Sequence, residues 1–197
     1  GKALNDYNSN TIGVENLMKV SKEISSLKKI LITSSMLVCE TGYKPKNQFD
    51  YSPTTTYGES KVITEKNVWL NPPICDWAIL RPTSIWGPWF DIPYKTFFDM
   101  ILAKKYFHIG NKGCTKTYGY VGNAIFQIEK ILFSDTSEDS NKVFYLGDYK
   151  PVNIEIWGNE IAKELNYSIK KIPFLIIKLA ALFGDFLKLL RINFPMT

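Results

Sequence analysis

Two short runs limit what this chain can become: Lys28-Lys29-Ile30-Leu31-Ile32-Thr33-Ser34-Ser35 and Trp77-Ala78-Ile79-Leu80-Arg81-Pro82. A strand with one wet face alternates apolar and polar residues. An unbroken apolar run instead suits a strand covered on both faces, as in a parallel sheet with helices above and below. Helical patterns flank these runs. Ile12, Leu17, Val20, Ile24 and Leu27 recur at helical spacing and predict a helix from Asn10 to Leu27 with one buried face. Thr56-Tyr57-Gly58-Glu59 has capping-box spacing and predicts a helix from about Tyr57 to Trp69. Met36 to Thr55, rich in Gly, Pro, Asn and Asp, reads as a loop. Helix, strand, helix, strand, in units of about 30 residues, is the rhythm of a doubly wound α/β sheet.

Trp86-Gly87-Pro88 breaks that rhythm. Beyond it the pattern predicts a helix near Thr96 to Lys104, short strands near Phe107 and Tyr118, and a helix from about Asn123 to Phe133. A strand at Lys142 to Gly147, a helix from Asn153 to Leu165, a strand at Ser168 to Pro173 and an amphipathic helix follow. This irregular half suits a substrate-binding region built around the end of the sheet.

With 197 residues and 45% apolar content, the chain has material for one domain, or a domain with a small appendage. Its 24 basic and 19 acidic residues give a net charge of +5. No compact basic run is interleaved with aromatics, so a nucleic-acid partner is not expected, and the charge favours anionic ligands such as phosphates only weakly. Cys39, Cys75 and Cys114 are far apart, odd in number and accompanied by one histidine, His108. They read as reduced thiols of a cytoplasmic protein with no metal site, and His108 as structural. The N-terminal GKALNDYNSN lacks the pattern of a secretory signal. From Ile172 to Leu190 the chain is mostly apolar, but Lys178, Asp185 and Lys188 interrupt it. That favours a helix packed on the core or on a partner over a transmembrane segment, with attachment to a membrane surface as the second reading.

Chemistry is suggested by Tyr57 and Lys61, four residues apart in a predicted helix and so on one face, one turn apart. A free phenol titrates near 10, and a nearby ammonium favours its ionised form, making the pair a candidate general base. Alone, this spacing is common. Ser34 and Ser35 add context, because they end a predicted buried strand, and ligands of open α/β sheets bind at such ends.

In the segments TSSMLV, TTTYGESK, ILRPTSIWGP and TKTYGYVGN, the chain resembles the extended short-chain dehydrogenase/reductase family, the NAD-dependent epimerase/dehydratases of sugar-nucleotide type. The resemblance implies a partial Rossmann-like doubly wound parallel sheet with a smaller mixed α/β substrate-binding region. Residues 1–88 would be the C-terminal part of the NAD(P)-binding domain, and residues 89–197 mainly the substrate-binding region, with some elements returning to the sheet. It further implies catalytic roles for Ser35, Tyr57 and Lys61: Ser35 hydrogen-bonds the reacting hydroxyl or ketone, Tyr57 moves its proton, and Lys61 holds the nicotinamide ribose and lowers the tyrosine pKa. By the same resemblance Asn10, Ser34, Tyr57, Lys61, Pro82 and Thr83 face the cofactor, NAD or NADP, while Ser35, Ser84 and Lys116 face the substrate. Lys116 stands where sugar-nucleotide enzymes often carry an arginine for the diphosphate. The helices bearing Asn10 and Tyr57 would form a homodimer interface.

The resemblance also bears on the reaction. Hexose 4,6-dehydratases place Asp-Glu directly after the catalytic Ser/Thr, whereas this chain has Met36 and Leu37, which transfer no proton. That points to a nucleotide-sugar 4-epimerase or oxidoreductase. The alternatives are a 3β-hydroxysteroid dehydrogenase-like enzyme, with Cys39 and Glu40 departing from the usual pattern, and a non-catalytic binding or structural member of the family. The glycine-rich GxxGxxG cradle for the cofactor pyrophosphate does not occur in these residues. The chain therefore reads as a fragment that binds NAD poorly by itself.

Overall fold

The computed structural model describes residues 1–92, 94–110, 113–134 and 141–189. In chain order the elements are α1 (Ile12–Ser21), β1 (Lys29–Thr33), α2 (Thr56–Leu70), β2 (Asp76–Pro82), β3 (Ser84–Trp86), α3 (Tyr94–Leu102), β4 (Phe107–Ile109), β5 (Thr115–Lys116), β6 (Tyr118–Tyr120), α4 (Val121–Leu132), β7 (Lys142–Leu146), β8 (Val152–Asn153), α5 (Ile154–Glu164), β9 (Lys170–Ile172) and α6 (Phe174–Leu189). They divide into two compact units. The first comprises residues 1–87 and 118–149, and the second residues 88–117 and 150–197.

The first unit is built on a parallel sheet of order β1-β2-β7, in which Thr33 pairs with Leu80 and Pro82 with Leu146. Each face of the sheet has its own core. Met18 of α1 and Val68 of α2 pack on Ile32, Trp77 and Ile79 on one side, while Ile131 of α4 packs on Ala78, Leu80 and Leu146 on the other. The apolar runs thus are strands covered by helices on both faces, the layering of a doubly wound fold. A second parallel pair, β3 with β6, extends from the end of β2.

The second unit holds a parallel pair, β4 with β9, and an antiparallel pair, β5 with β8. An aromatic group joins α3 to α5, with the rings of Phe97 and Phe98 at 5.5 and 5.4 Å from that of Trp157. His108 is buried, hydrogen-bonded through Nε2 to Asn159 Oδ1 at 3.0 Å and edge-on to Tyr106. The residues Phe174, Leu175, Ile176, Leu179 and Leu182 of α6 are exposed. Among the described residues no helix is long and apolar enough to cross a membrane. The side chains of Asp185 and Lys188, and Leu190, lie outside the described residues.

Two expectations need correction. Helix α1 is shorter than the periodicity predicts, ending where the Ser21 hydroxyl turns back to donate to the Met18 carbonyl at 2.8 Å. Its buried stripe also differs: Met18 is fully buried and Val14 packs beside it, whereas Ile12, Leu17, Val20 and Ile24 are exposed. In addition, Thr55 rather than Thr56 caps α2, its Oγ1 accepting from the Gly58 amide at 3.0 Å. Three successive threonines offer the same cap chemistry, and spacing alone does not choose among them.

Candidate active site

Because β1 and β2 are parallel, their C-terminal ends open on one edge of the sheet, the edge where such folds bind ligands. Ser34 and Ser35 leave β1 there, and Pro82, Thr83 and Ser84 leave β2. The Ser34 amide donates to the Leu80 carbonyl at 2.7 Å, and the Thr83 amide to Leu146 at 2.9 Å, so ladder bonds hold both exits. At Ser35 the chain enters a single 3-10 turn, Met36–Val38, and the Ser35 hydroxyl oxygen accepts from the Leu37 amide at 3.1 Å. A hydroxyl has one proton and two lone pairs. With an amide on its oxygen, Ser35 keeps its proton to donate.

Helix α2 comes very close to this turn. A Cβ added at Gly58 would overlap the Leu37 carbonyl oxygen and approach the Pro53 Cβ at 3.2 Å. Glycine at the residue after Tyr57 therefore lets the helix start directly against the Ser35 turn. Tyr57 is half-buried, with the Tyr7 ring edge-on at 5.8 Å and the Lys61 ammonium 5.9 Å from its ring centroid.

Lys61 is tightly placed for a lysine. Its Nζ donates to Asn10 Oδ1 at 3.1 Å and to the Thr33 carbonyl, at the end of β1, at 2.9 Å. Asn10 is itself held by α2, donating from Nδ2 to Ser60 Oγ at 3.0 Å and accepting on its backbone carbonyl from Thr64 Oγ1 at 2.5 Å. Burial lowers the Lys61 pKa from its ordinary value. The structure thus gathers Asn10, Lys61, Tyr57 and Ser35 at one sheet edge.

Ser34 points elsewhere. Its hydroxyl is buried and donates to Glu65 Oε1 at 2.5 Å. Glu65 in turn binds Arg81, whose Nε meets Oε1 at 2.9 Å and whose Nη2 meets Oε2 at 2.7 Å. Both side chains have no exposed surface. Burial alone would lower the Arg81 pKa, but the Glu65 hydrogen bonds and charge overcome it and hold the guanidinium above its ordinary range. Burial, and then the Glu65 charge, raise the Tyr51 phenol. Sequence reasoning missed this ion pair. Its signal was available, since an arginine inside a strand covered on both faces requires a buried partner.

Lys116, in the second unit, is half-buried with its ammonium 5.5 Å from the Tyr94 ring centroid. The three cysteines are free, and among the described residues no group of three or more His, Cys, Asp or Glu could hold a metal ion.

No protein-family model and no curated protein matches the sequence. Solved structures do match its fold. UDP-glucuronic acid 4-epimerase from Bacillus cereus, in complex with UDP-glucuronic acid and NAD, superposes with a TM-score of 0.72 at 19% identity, over 84% of this chain and 54% of that one. UDP-glucose 4-epimerase from Thermus thermophilus, in complex with NAD, gives 0.65 at 17% identity, over 85% and 58%. UDP-glucose 4-epimerase from Thermotoga maritima, with UDP-glucose, gives 0.66 at 20%, over 86% and 58%. The fold is the one these epimerases share. The chain spans a little over half of their length.

Proposed function

We propose that this chain carries the reaction centre of an NAD-dependent nucleotide-sugar 4-epimerase or closely related oxidoreductase. The observation that carries the reading is the convergence of Ser35, Tyr57 and the anchored Lys61 at the C-terminal edge of a parallel sheet, in a fold shared with NAD-bound nucleotide-sugar epimerases. Those neighbours favour a sugar nucleotide over a steroid.

The residues present fit the nicotinamide-ribose end of the cofactor. An ammonium has three donors, and Asn10 and the Thr33 carbonyl take two of them, which leaves the third for a ribose hydroxyl. A glycine-rich turn for the pyrophosphate is not among these 197 residues. When bound, NAD supplies reversible hydride exchange at the sugar carbon.

The side chains of this chain do the rest. Tyr57 takes the proton of the reacting hydroxyl and returns it to the ketone oxygen, while the Ser35 hydroxyl donates a hydrogen bond to that same oxygen. The Lys61 ammonium, 5.9 Å from the Tyr57 ring centroid, would favour the ionised form of that base. Met36 and Leu37, both exposed after Ser35, hold no transferable proton, which disfavours dehydration of the Asp-Glu type. Pro82, Thr83 and Ser84 would flank the nicotinamide and the sugar, and Lys116 would supply charge for a diphosphate without the bidentate fork of an arginine. The free thiols support a reducing, cytoplasmic setting.

The test is conversion of UDP-glucose and UDP-glucuronic acid to their 4-epimers by the protein at its natural length with NAD. Tyr57→Phe should lose about 100-fold or more in turnover. Failure to convert any UDP-hexose, or turnover that survives Tyr57→Phe, rejects the reading.

A further inference from the structure

Glu65 lies on α2 two turns beyond Tyr57 and one beyond Lys61, with its carboxylate accepting four hydrogen bonds. They come from Ser34 at the end of β1, twice from Arg81 in β2, and from the Tyr51 hydroxyl at 3.0 Å in the loop between β1 and α2. Arg81 is fixed on its far side as well, donating to Tyr145 at 2.8 Å and to the Gln48 carbonyl at 2.7 Å, with the Tyr51 and Tyr145 rings each 5.5 Å from its guanidinium carbon. One buried carboxylate therefore joins the exit of the strand that leads into Ser35, its neighbouring strand, and the helix that carries Tyr57 and Lys61.

Apolar side chains of similar volume would hold the same layers together without this ionic cluster. What a bidentate guanidinium and carboxylate add is direction. We infer that Ser34, Glu65 and Arg81 are positioning residues: they set the height of α2 along β1, and so hold Tyr57 and Lys61 opposite Ser35, while touching neither substrate nor cofactor. The inference rests on the proposed roles of Ser35, Tyr57 and Lys61. Ser34 is the adjustable link. It precedes Ser35 directly, and removing its hydroxyl leaves the Glu65 and Arg81 charges paired.

The experiment compares Ser34→Ala and Ser34→Thr with wild type at natural length, measuring turnover, NAD affinity, unfolding midpoint and the 13C NMR signals of the Tyr57 ring, assigned by their loss in Tyr57→Phe. Ser34→Ala should lower kcat by about ten- to a hundredfold, the scale of a small misplacement of reacting groups. KM, NAD affinity and unfolding midpoint should stay close to wild type, the Tyr57 signals should move, and Ser34→Thr should restore both kcat and the signals. Tyr57 signals that do not move in Ser34→Ala overturn the inference, as does a loss of NAD affinity, which would mark Ser34 as a direct cofactor contact. If wild type turns over no sugar nucleotide, the proposed function fails, and the Tyr57 signals still decide the positioning role. Glu65→Gln leaves a buried guanidinium unpaired and can unfold the chain, so Ser34 carries the test.

Discussion

The Lys61 ammonium donates to the side-chain carbonyl of Asn10, fifty-one residues earlier, at 3.1 Å. Asn10 is bound to α2 at two further points, Ser60 and Thr64, so the segment before α1 and the Tyr57 helix form one hydrogen-bonded unit around the lysine. Asn10→Ala removes the acceptor for a charged donor and the side-chain link from the segment before α1 to Ser60 of α2. The variant should lose about 1 to 3 kcal/mol of stability, and turnover about tenfold or more as Lys61 gains freedom. Urea unfolding and steady-state kinetics check the two effects. A variant with wild-type turnover would remove Asn10 from the site.

Burial lowers the Lys61 pKa below 10.5, which makes stability depend on pH in a definite direction. Between the folded-state value and 10.5 the unfolded chain holds more protons than the folded one, so unfolding takes up a proton and stability rises with pH. Lys61→Met abolishes that contribution. The unfolding free energy of wild type minus that of Lys61→Met should be flat at neutral pH and then climb across the alkaline window up to 10.5. Urea titrations at a series of pH values measure it, and a difference that falls through the window contradicts the assignment.

Two glycines at the starts of helices should respond in opposite ways. A Cβ at Gly58 meets the Leu37 backbone carbonyl, which cannot move without displacing the turn that carries Ser35, whereas a Cβ at Gly13 meets nothing closer than the Asn8 carbonyl at 3.5 Å. Gly58→Ala should cost about 1 to 3 kcal/mol by overpacking and depress turnover as well. Gly13→Ala should be neutral, or stabilise by up to about 1 kcal/mol. Thermal unfolding of the two variants side by side decides between them.

The parts of this protein legible in its sequence were local ones. The unbroken runs of β1 and β2 announce strands covered on both faces, and the Tyr57 to Lys61 spacing needs only a helix to bring the two together. The buried stripe of α1 was not legible, because that helix has two apolar sides. Met18 and Val14 meet the sheet while Ile12, Leu17 and Val20 do not, and spacing alone ranks neither side first. The Glu65 and Arg81 pair was legible by half: an arginine inside a strand covered on both faces calls for a buried partner, but no local pattern names Glu65, sixteen residues earlier on α2, as that partner. Lys61 meets Asn10 only through tertiary packing of α1 on α2, which no local pattern encodes.

The exposed apolar side of α1 has a consequence for assembly. Ile12, Leu17 and Val20 are 55%, 46% and 50% exposed, and a homodimer built on α1 and α2 would cover them. We expect a solution mass of two chains for wild type, and of one for the double variant Leu17→Glu, Val20→Glu, with circular dichroism unchanged. Light scattering measures both. A monomeric wild type would reject the dimer.

Glu65 and Arg81 are fully buried and bonded through two contacts, at 2.9 and 2.7 Å, so each should depend on the other for its tolerance of burial. Glu65→Leu leaves an uncompensated guanidinium and Arg81→Met an uncompensated carboxylate, and each should cost about 3 to 5 kcal/mol. The double variant replaces the pair with apolar volume and leaves no buried charge, so its cost should fall well below the sum of the two, with a coupling of at least about 3 kcal/mol in the cycle. Urea unfolding of the four proteins gives that coupling directly. Costs that simply add would mean water reaches the pair in solution. If the double variant instead recovers stability but not turnover, the ion pair serves the placement of Tyr57 and Ser35 more than the cohesion of the layers it joins.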